Sequence, residues 1–152
     1  MKASAAAVPR NGVLLDTGVL VALNNRDDPL HRRACEWLAT VRGQLHSVEP
    51  VLAEAAFFLP ARTRSGLADL ARQGVIRLHH PGGDGLQRMA QLFAKYADAD
   101  PDWADIALVW LAESTGLRRI ATIDLTDFSI YRINGRTRFE FELLGGGPGS
   151  GS

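Results

Sequence analysis

Four carboxylates sit where an exposed acid is out of place. Asp16 ends the apolar run Val13-Leu14-Leu15, and Glu54 lies inside the apolar segment Val51 to Leu59. Asp105 opens the run Ile106 to Ala112, and Asp124 follows Ile120-Ala121-Thr122-Ile123. An ionised carboxylate taken out of water without a partner costs several kcal/mol, so such groups are paired or coordinate a metal. Lys occurs only as Lys2 and Lys95, and no Lys or Arg falls within the four segments. A shared divalent cation is the most economical common partner, and oxygen-only ligands select Mg²⁺ or Mn²⁺. Cations held this way acidify water and stabilise negative charge developing on oxygen. Two cations roughly 4 Å apart bind the attacking and leaving oxygens together. Metal-acidified water makes a histidine base unnecessary.

Around these four, Thr17 and Thr122 can offer hydroxyls to water or phosphate, and Asp102 is a further metal ligand candidate. Each residue also has an ordinary reading. Asp16 suits a helix N-cap, Asp124 a turn, and Asp102 the first turn of a helix, where acid favours the dipole. Asp105 is harder to explain away, because an almost wholly apolar helix follows it. Arg62, Arg64, Arg72, Arg118 and Arg119 are candidates for contacts with an anionic partner, against the default of a solvated face. The tryptophans and phenylalanines read as core, and Cys35 as a small core residue.

Elements that could bring the acids together follow from the apolar pattern. Strands are predicted at Val13–Leu15, Leu45–Val48, Val75–Leu78 and Arg119–Ile123, separated by helical stretches. Asp28-Pro29 and Asp100-Pro101 read as cap-plus-proline helix starts. Pro50 starts a helix running to about Leu59, Gly82 to Gly85 reads as a turn, and Gly116 as a helix stop. Tyr131–Ile133 and Arg138–Leu143 read as closing strands of a hairpin around Asn134-Gly135. Strands alternating with helices give an α/β three-layer sandwich with a central, mostly parallel sheet. In such folds sites form beyond the C-terminal ends of strands, where Asp16 and Asp124 fall.

Composition bounds the rest. A chain of 152 residues, 46% hydrophobic and 22% charged, suits a single globular domain. We expect a loose tail at residues 1–11, a domain at 12–143 and a flexible Gly/Ser tail at 144–152. No apolar stretch approaches a membrane span. A lone Cys35 and the weakly apolar start lead us to expect a cytoplasmic protein. The four histidines lack zinc-ligand spacing. Zero net charge gives no global pull toward nucleic acid, leaving a local Arg rim as the route to it.

The order of Leu14-Leu15-Asp16-Thr17-Gly18-Val19-Leu20, Val51-Leu52-Ala53-Glu54-Ala55-Ala56, Asp102-Trp103-Ala104-Asp105-Ile106-Ala107-Leu108-Val109 and Ile120 to Phe128 resembles the PIN-domain nucleases, in particular the VapC-type toxins of toxin–antitoxin pairs. The resemblance spans about Val13 to Ile133. It implies metal-dependent ribonuclease activity carried by Asp16, Glu54, Asp105 and Asp124, a homodimer, and an antitoxin that blocks the site. Asp102 departs from the pattern as a second acid beside Asp105. We expect the antitoxin groove near the helices starting at Asp28 and Pro50. The alternatives are a PIN-like module that binds RNA or protein without cleaving, and a phosphatase with an aspartyl nucleophile. Asp16-Thr17-Gly18 lacks the second acid that the phosphatase mechanism needs two residues on.

Overall fold

The computed structural model describes residues 8–123 and 125–143, the last of these in its backbone only. Five strands run in the order β1 (Val13–Leu15), β2 (Leu45–Val48), β3 (Ile76–His79), β4 (Arg119–Thr122) and β5 (Glu140–Leu143). Between them lie α1 (Thr17–Asn24), α2 (His31–Thr40), α3 (Glu49–Phe58), α4 (Arg64–Arg72), α5 (Gly82–Lys95), α6 (Trp103–Thr115) and α7 (Leu125–Ile130).

The strands form one sheet, spatially ordered β3-β2-β1-β4-β5, and every pairing is parallel. The tails predicted at 1–11 and 144–152 lie largely outside the described residues.

β1 is the central strand, and Val13, Leu14 and Leu15 have no solvent exposure. A parallel strand covered on both faces reads as a continuous apolar run rather than an alternation. Each such side chain contributes on the order of 1.5–3 kcal/mol by leaving water. Leu14 stands beside His46 of β2 on one side and Ile120 of β4 on the other. Strand order reverses between β1 and β4. In open α/β sheets that topological switch point leaves a crevice at the carboxyl ends of the strands.

α6 is buried nearly all round, from Ala104 through Val109 and again at Leu111 and Ala112. Such a helix lies inside the protein rather than on it. Gly116 ends α6 at φ 78°, as its sequence position predicts.

Several local expectations are corrected. The Gly82-Gly83-Asp84-Gly85 segment is the first turn of α5, not a loop. A Cβ on Gly85 would lie 2.8 Å from Trp110 Nε1, so this glycine permits close packing of α5 on α6. α6 starts at Trp103, not after Asp100. Asp100 is left-handed at φ 49°, and Asp102 is the residue whose side chain caps the helix.

The expected hairpin shrinks to one antiparallel bridge, Ile133 to Thr137. The following segment instead pairs β5 in parallel with β4. α7 is a helix that the apolar pattern does not announce. It is short, and its burial rests on Phe128 alone.

The expectation that the aromatic residues are core fails for Phe57 (80% exposed), Phe58 and Trp103 (55% exposed). Cys35 is exposed as well.

Candidate metal centre at the switch point

Asp16 follows β1 directly and is the N-cap of α1, with extended φ and ψ of −91° and 166°. Its two oxygens have different neighbours. Oδ1 accepts the Thr17 backbone N–H at 2.8 Å, and Oδ2 accepts the Thr122 hydroxyl at 3.0 Å. Thr122 is the last residue of β4 and is fully buried. The Asp16 N–H extends the β1–β4 ladder to the Ala121 carbonyl at 3.1 Å. Both the capping and the ligand readings of Asp16 are therefore compatible, because each carboxylate oxygen has a second lone pair. Gly18 lets α1 start close to β4: a Cβ there would meet the Ile123 side chain at 2.6 Å.

Asp105 lies in the first turn of α6 and is 8% exposed, the only acid among the described residues in the buried class. Tyr131 O–H donates to its Oδ2 at 3.3 Å. Burial, joined by the charges of Asp102, Asp16 and Asp127, pushes the Asp105 carboxyl up to about 8, while the Tyr131 hydrogen bond opposes the rise. Burial and the neighbouring Asp105 carboxylate in turn raise the Tyr131 phenol above its ordinary range. Glu54 reaches the same field from the middle of α3. Its carboxyl is raised by burial and then by Asp102 and Asp16. The acids of β1, α3 and α6 are thus electrostatic neighbours, and none of Glu54, Asp102 and Asp105 forms an ion pair among the described residues.

Asp102 is exposed, and its Oδ1 accepts the Asp105 N–H at 2.8 Å. That is the capping role the sequence offered as its ordinary explanation. Asp124 lies outside the described residues. Asp127, in the first turn of α7, is the acid that sequence reasoning passed over, and its charge bears on both Asp105 and Tyr131. The signal for it was Asp127-Phe128 itself, an acid beside an apolar anchor three residues after Leu125. Tyr131 gave no comparable sign; only the packing of its ring edge-on against Tyr96 and Phe128 directs its hydroxyl inward.

Three of the five buried polar or charged residues, Thr17, Thr122 and Asp105, gather at this one end of the sheet. The Thr17 hydroxyl is buried with no hydrogen-bond partner among the described residues. Clustered hard oxygen donors, carboxyls raised by burial and then by neighbouring acids, and a hydroxyl without a partner among the described residues suit a divalent cation. No three His, Cys, Asp or Glu side chains among the described residues are close enough to hold an ion unaided. Mg²⁺ does not require that, because it binds through one or two carboxylates and keeps several waters.

The candidate arginines are divided between the two ends of the molecule. Arg62 and Arg64 lie just after α3, where Arg64 Nε donates to the Ala56 carbonyl. Arg72, at the end of α4, pairs with Asp69. Arg118 and Arg119 lie at the opposite, N-terminal end of β4, paired with Glu140 and Glu142.

Residues 13–133 match the family model of the PIN domain, and the chain belongs to that family. Its fold is shared with VapC-type toxins. One similar structure is Mycobacterium tuberculosis VapC20, described as a toxin that cleaves the sarcin–ricin loop. It has 18% identity over 71% of this chain and 86% of that one, with a TM-score of 0.65. Another is VapBC2 from Rickettsia felis bound to a DNA fragment from its promoter, with 14% identity, coverage of 86% and 98%, and a TM-score of 0.60. A third is VapBC-1 from nontypeable Haemophilus influenzae, with 13% identity, coverage of 88% and 98%, and a TM-score of 0.57. A comparison with curated proteins returned no match. Among the described residues no helix is long and apolar enough to cross a membrane.

Proposed function

We propose that this PIN domain is a divalent-metal-dependent ribonuclease and the toxin of a toxin–antitoxin pair. The observation that carries the reading is the gathering of Asp16, Glu54 and Asp105 at the switch point of the sheet, where the Asp16 charge bears on both Glu54 and Asp105. Asp16, Asp105 and Asp124 hold Mg²⁺ or Mn²⁺, Glu54 does so directly or through water, and Asp102 is a secondary ligand. The bound ion supplies charge neutralisation for the phosphate and acidity for the attacking water. Thr122 fixes the Asp16 carboxylate through its Oδ2. Tyr131 holds Asp105 in the same way. Thr17 keeps a hydroxyl free for water or a phosphate oxygen. Arg62 and Arg64, exposed beside α3, and Arg118 and Arg119 are the proposed phosphate contacts.

The family and the fold support a homodimer and an antitoxin. Two of the similar structures are VapBC assemblies. An antitoxin Arg entering the acid cluster would replace a cation there, its planar fork pairing with two carboxylate oxygens. The exposed Phe57 and Phe58, packed edge to face at the end of α3, form an apolar surface on a helix that also carries Glu54.

The alternative is a PIN-like module that binds RNA or protein without cleaving. Calorimetric titration with Mn²⁺ separates the two. A nuclease binds the ion in a manner lost in Asp16→Asn, whereas a degenerate module binds it weakly and indifferently to that change.

A further inference from the structure

A broad concavity lies away from the acids. It has a volume of about 930 Å³ and runs along the N-terminal half of the sheet beside the end of α6. Arg10, Arg77, Arg118, Arg119, His79 and His80 line it, with Glu140 as its one acid. Glu140 is 3.3 Å from Arg118, and Arg119 is held by Glu142. Arg10 and Arg77 are exposed and form no ion pair among the described residues. The pocket therefore carries a surplus of fixed positive charge in a chain whose net charge is zero. Such a concavity concentrates anions.

His79 and His80 also line a second cleft of about 500 Å³, which shares these two residues with the basic pocket. Its walls are mostly apolar, including Leu78, Pro81, Leu86 and Trp103, with Glu49 as the one acid on it. Ala53 and Trp103, on the same cleft, adjoin Glu54 in α3 and Asp102 at the start of α6. The Trp103 ring is more than half exposed, with Phe93 tilted against it. An exposed indole on an apolar wall, followed by unpaired cations, is the pattern that holds a single-stranded polynucleotide: a base on the ring and phosphates on the arginines.

The geometry points to an RNA track that leaves the acid site past Trp103, passes His79 and His80, and ends with backbone phosphates on Arg10 and Arg77. It rests on the ribonuclease reading and adds a binding surface, on residues outside the acid site, that extends well beyond the scissile bond.

The test is fluorescence anisotropy of a labelled single-stranded 20-mer RNA with the full chain in EDTA, across a salt series. Arg10→Ser/Arg77→Ser is expected to weaken binding about tenfold or more. Two lost phosphate contacts should also flatten the slope of log affinity against log salt by about 1.4, at roughly 0.7 per single-strand phosphate. Trp103→Ala should weaken binding with the slope unchanged, because stacking releases no counterion. Arg26→Ser/Arg32→Ser, an equal loss of charge elsewhere on the surface, should leave both quantities as in the wild type.

Equal losses in the control pair would mean diffuse attraction and overturn the track. So would unchanged affinity in Arg10→Ser/Arg77→Ser when the wild type binds and cleaves RNA, an outcome that leaves the nuclease reading intact. A Trp103→Ala change that alters the assembly state but not RNA affinity would make the cleft a subunit contact and likewise overturn it. A wild-type chain that neither binds nor cleaves RNA overturns both readings.

Discussion

The Thr122 hydroxyl donates to Asp16 Oδ2 across 3.0 Å, joining the last residue of β4 to the residue that follows β1. This bond spans the point where strand order reverses, and it sets the direction of the carboxylate placed at the centre of the proposed site. Thr122→Val keeps the branched shape and removes the donor. Outer hydrogen bonds to metal ligands typically contribute 10–100-fold in affinity or activity. We expect a loss of about that size in RNA cleavage and Mn²⁺ affinity, with the fold retained by circular dichroism. Unchanged cleavage would show that Asp16 needs no such support.

Tyr131 does the corresponding work on Asp105 from the far side. Tyr131→Phe should lower cleavage about tenfold. It should also cost about 1 kcal/mol of stability, the usual net value of one hydrogen bond. Denaturant unfolding read beside initial cleavage rates tests both parts. A stability loss with full activity would reduce Tyr131 to a core residue.

Asp102 separates capping from ligation. Its Oδ1 accepts the Asp105 N–H, so Asp102→Ala should destabilise the fold by about 1 kcal/mol. Asp102→Asn keeps an accepting oxygen and should be close to neutral. Because this side chain is exposed and one oxygen is already engaged, we expect Asp102→Asn to retain cleavage within a few-fold. A collapse of activity at unchanged stability would promote Asp102 to a principal ligand.

The metal-free protein should lose stability as pH rises. Asp105 is raised to about 8 in the fold from an unfolded value of 3.8, so between these limits the folded state holds a proton that the unfolded chain has lost. Stability from this group is therefore present at low pH and falls as pH climbs toward 8. Glu54, also raised, acts in the same direction.

His46 and His79 oppose this at lower pH. Their rings meet at 2.8 Å between Nδ1 and Nε2, and both are lowered by burial first, His46 to about 4. Folding excludes a proton that the unfolded histidines take up below 6.5, so their contribution grows as pH rises from about 4 to 6.5. Above 6.5 the acids act alone. Melting temperature in EDTA should fall from pH 6.5 to 8, and Asp105→Asn should largely remove that decline. A rising or flat wild-type profile over this window would contradict the placement of Asp105.

Much of this site can be read in the linear chain, for a physical reason. A carboxylate next to an apolar run is costly unless it has a task, so Asp16, Glu54, Asp105 and Asp124 stand out before any coordinates are known. β1 and β2 and the burial of α6 follow from the same apolar pattern. What escapes is whatever depends on packing across the chain. The Tyr131 contact with Asp105, the approach of His46 to His79 and the parallel pairing of β5 involve residues far apart in sequence. α7 is too short for a period to show. The exposure of Trp103 and Phe57 was misread because an aromatic side chain signals core only by default.

The most direct test is cleavage of a diverse RNA pool, with the fragment ends sequenced, by the wild type and by Asp16→Asn in Mg²⁺, Mn²⁺ or EDTA. Loss of a metal ligand should exceed the cost of losing its outer support, so we predict metal-dependent cleavage reduced by about 100-fold or more in Asp16→Asn. The melting temperature of that variant in EDTA should equal or exceed the wild-type value, because a repelled charge has been removed. Cleavage that persists in EDTA, or full activity in Asp16→Asn, would contradict the account.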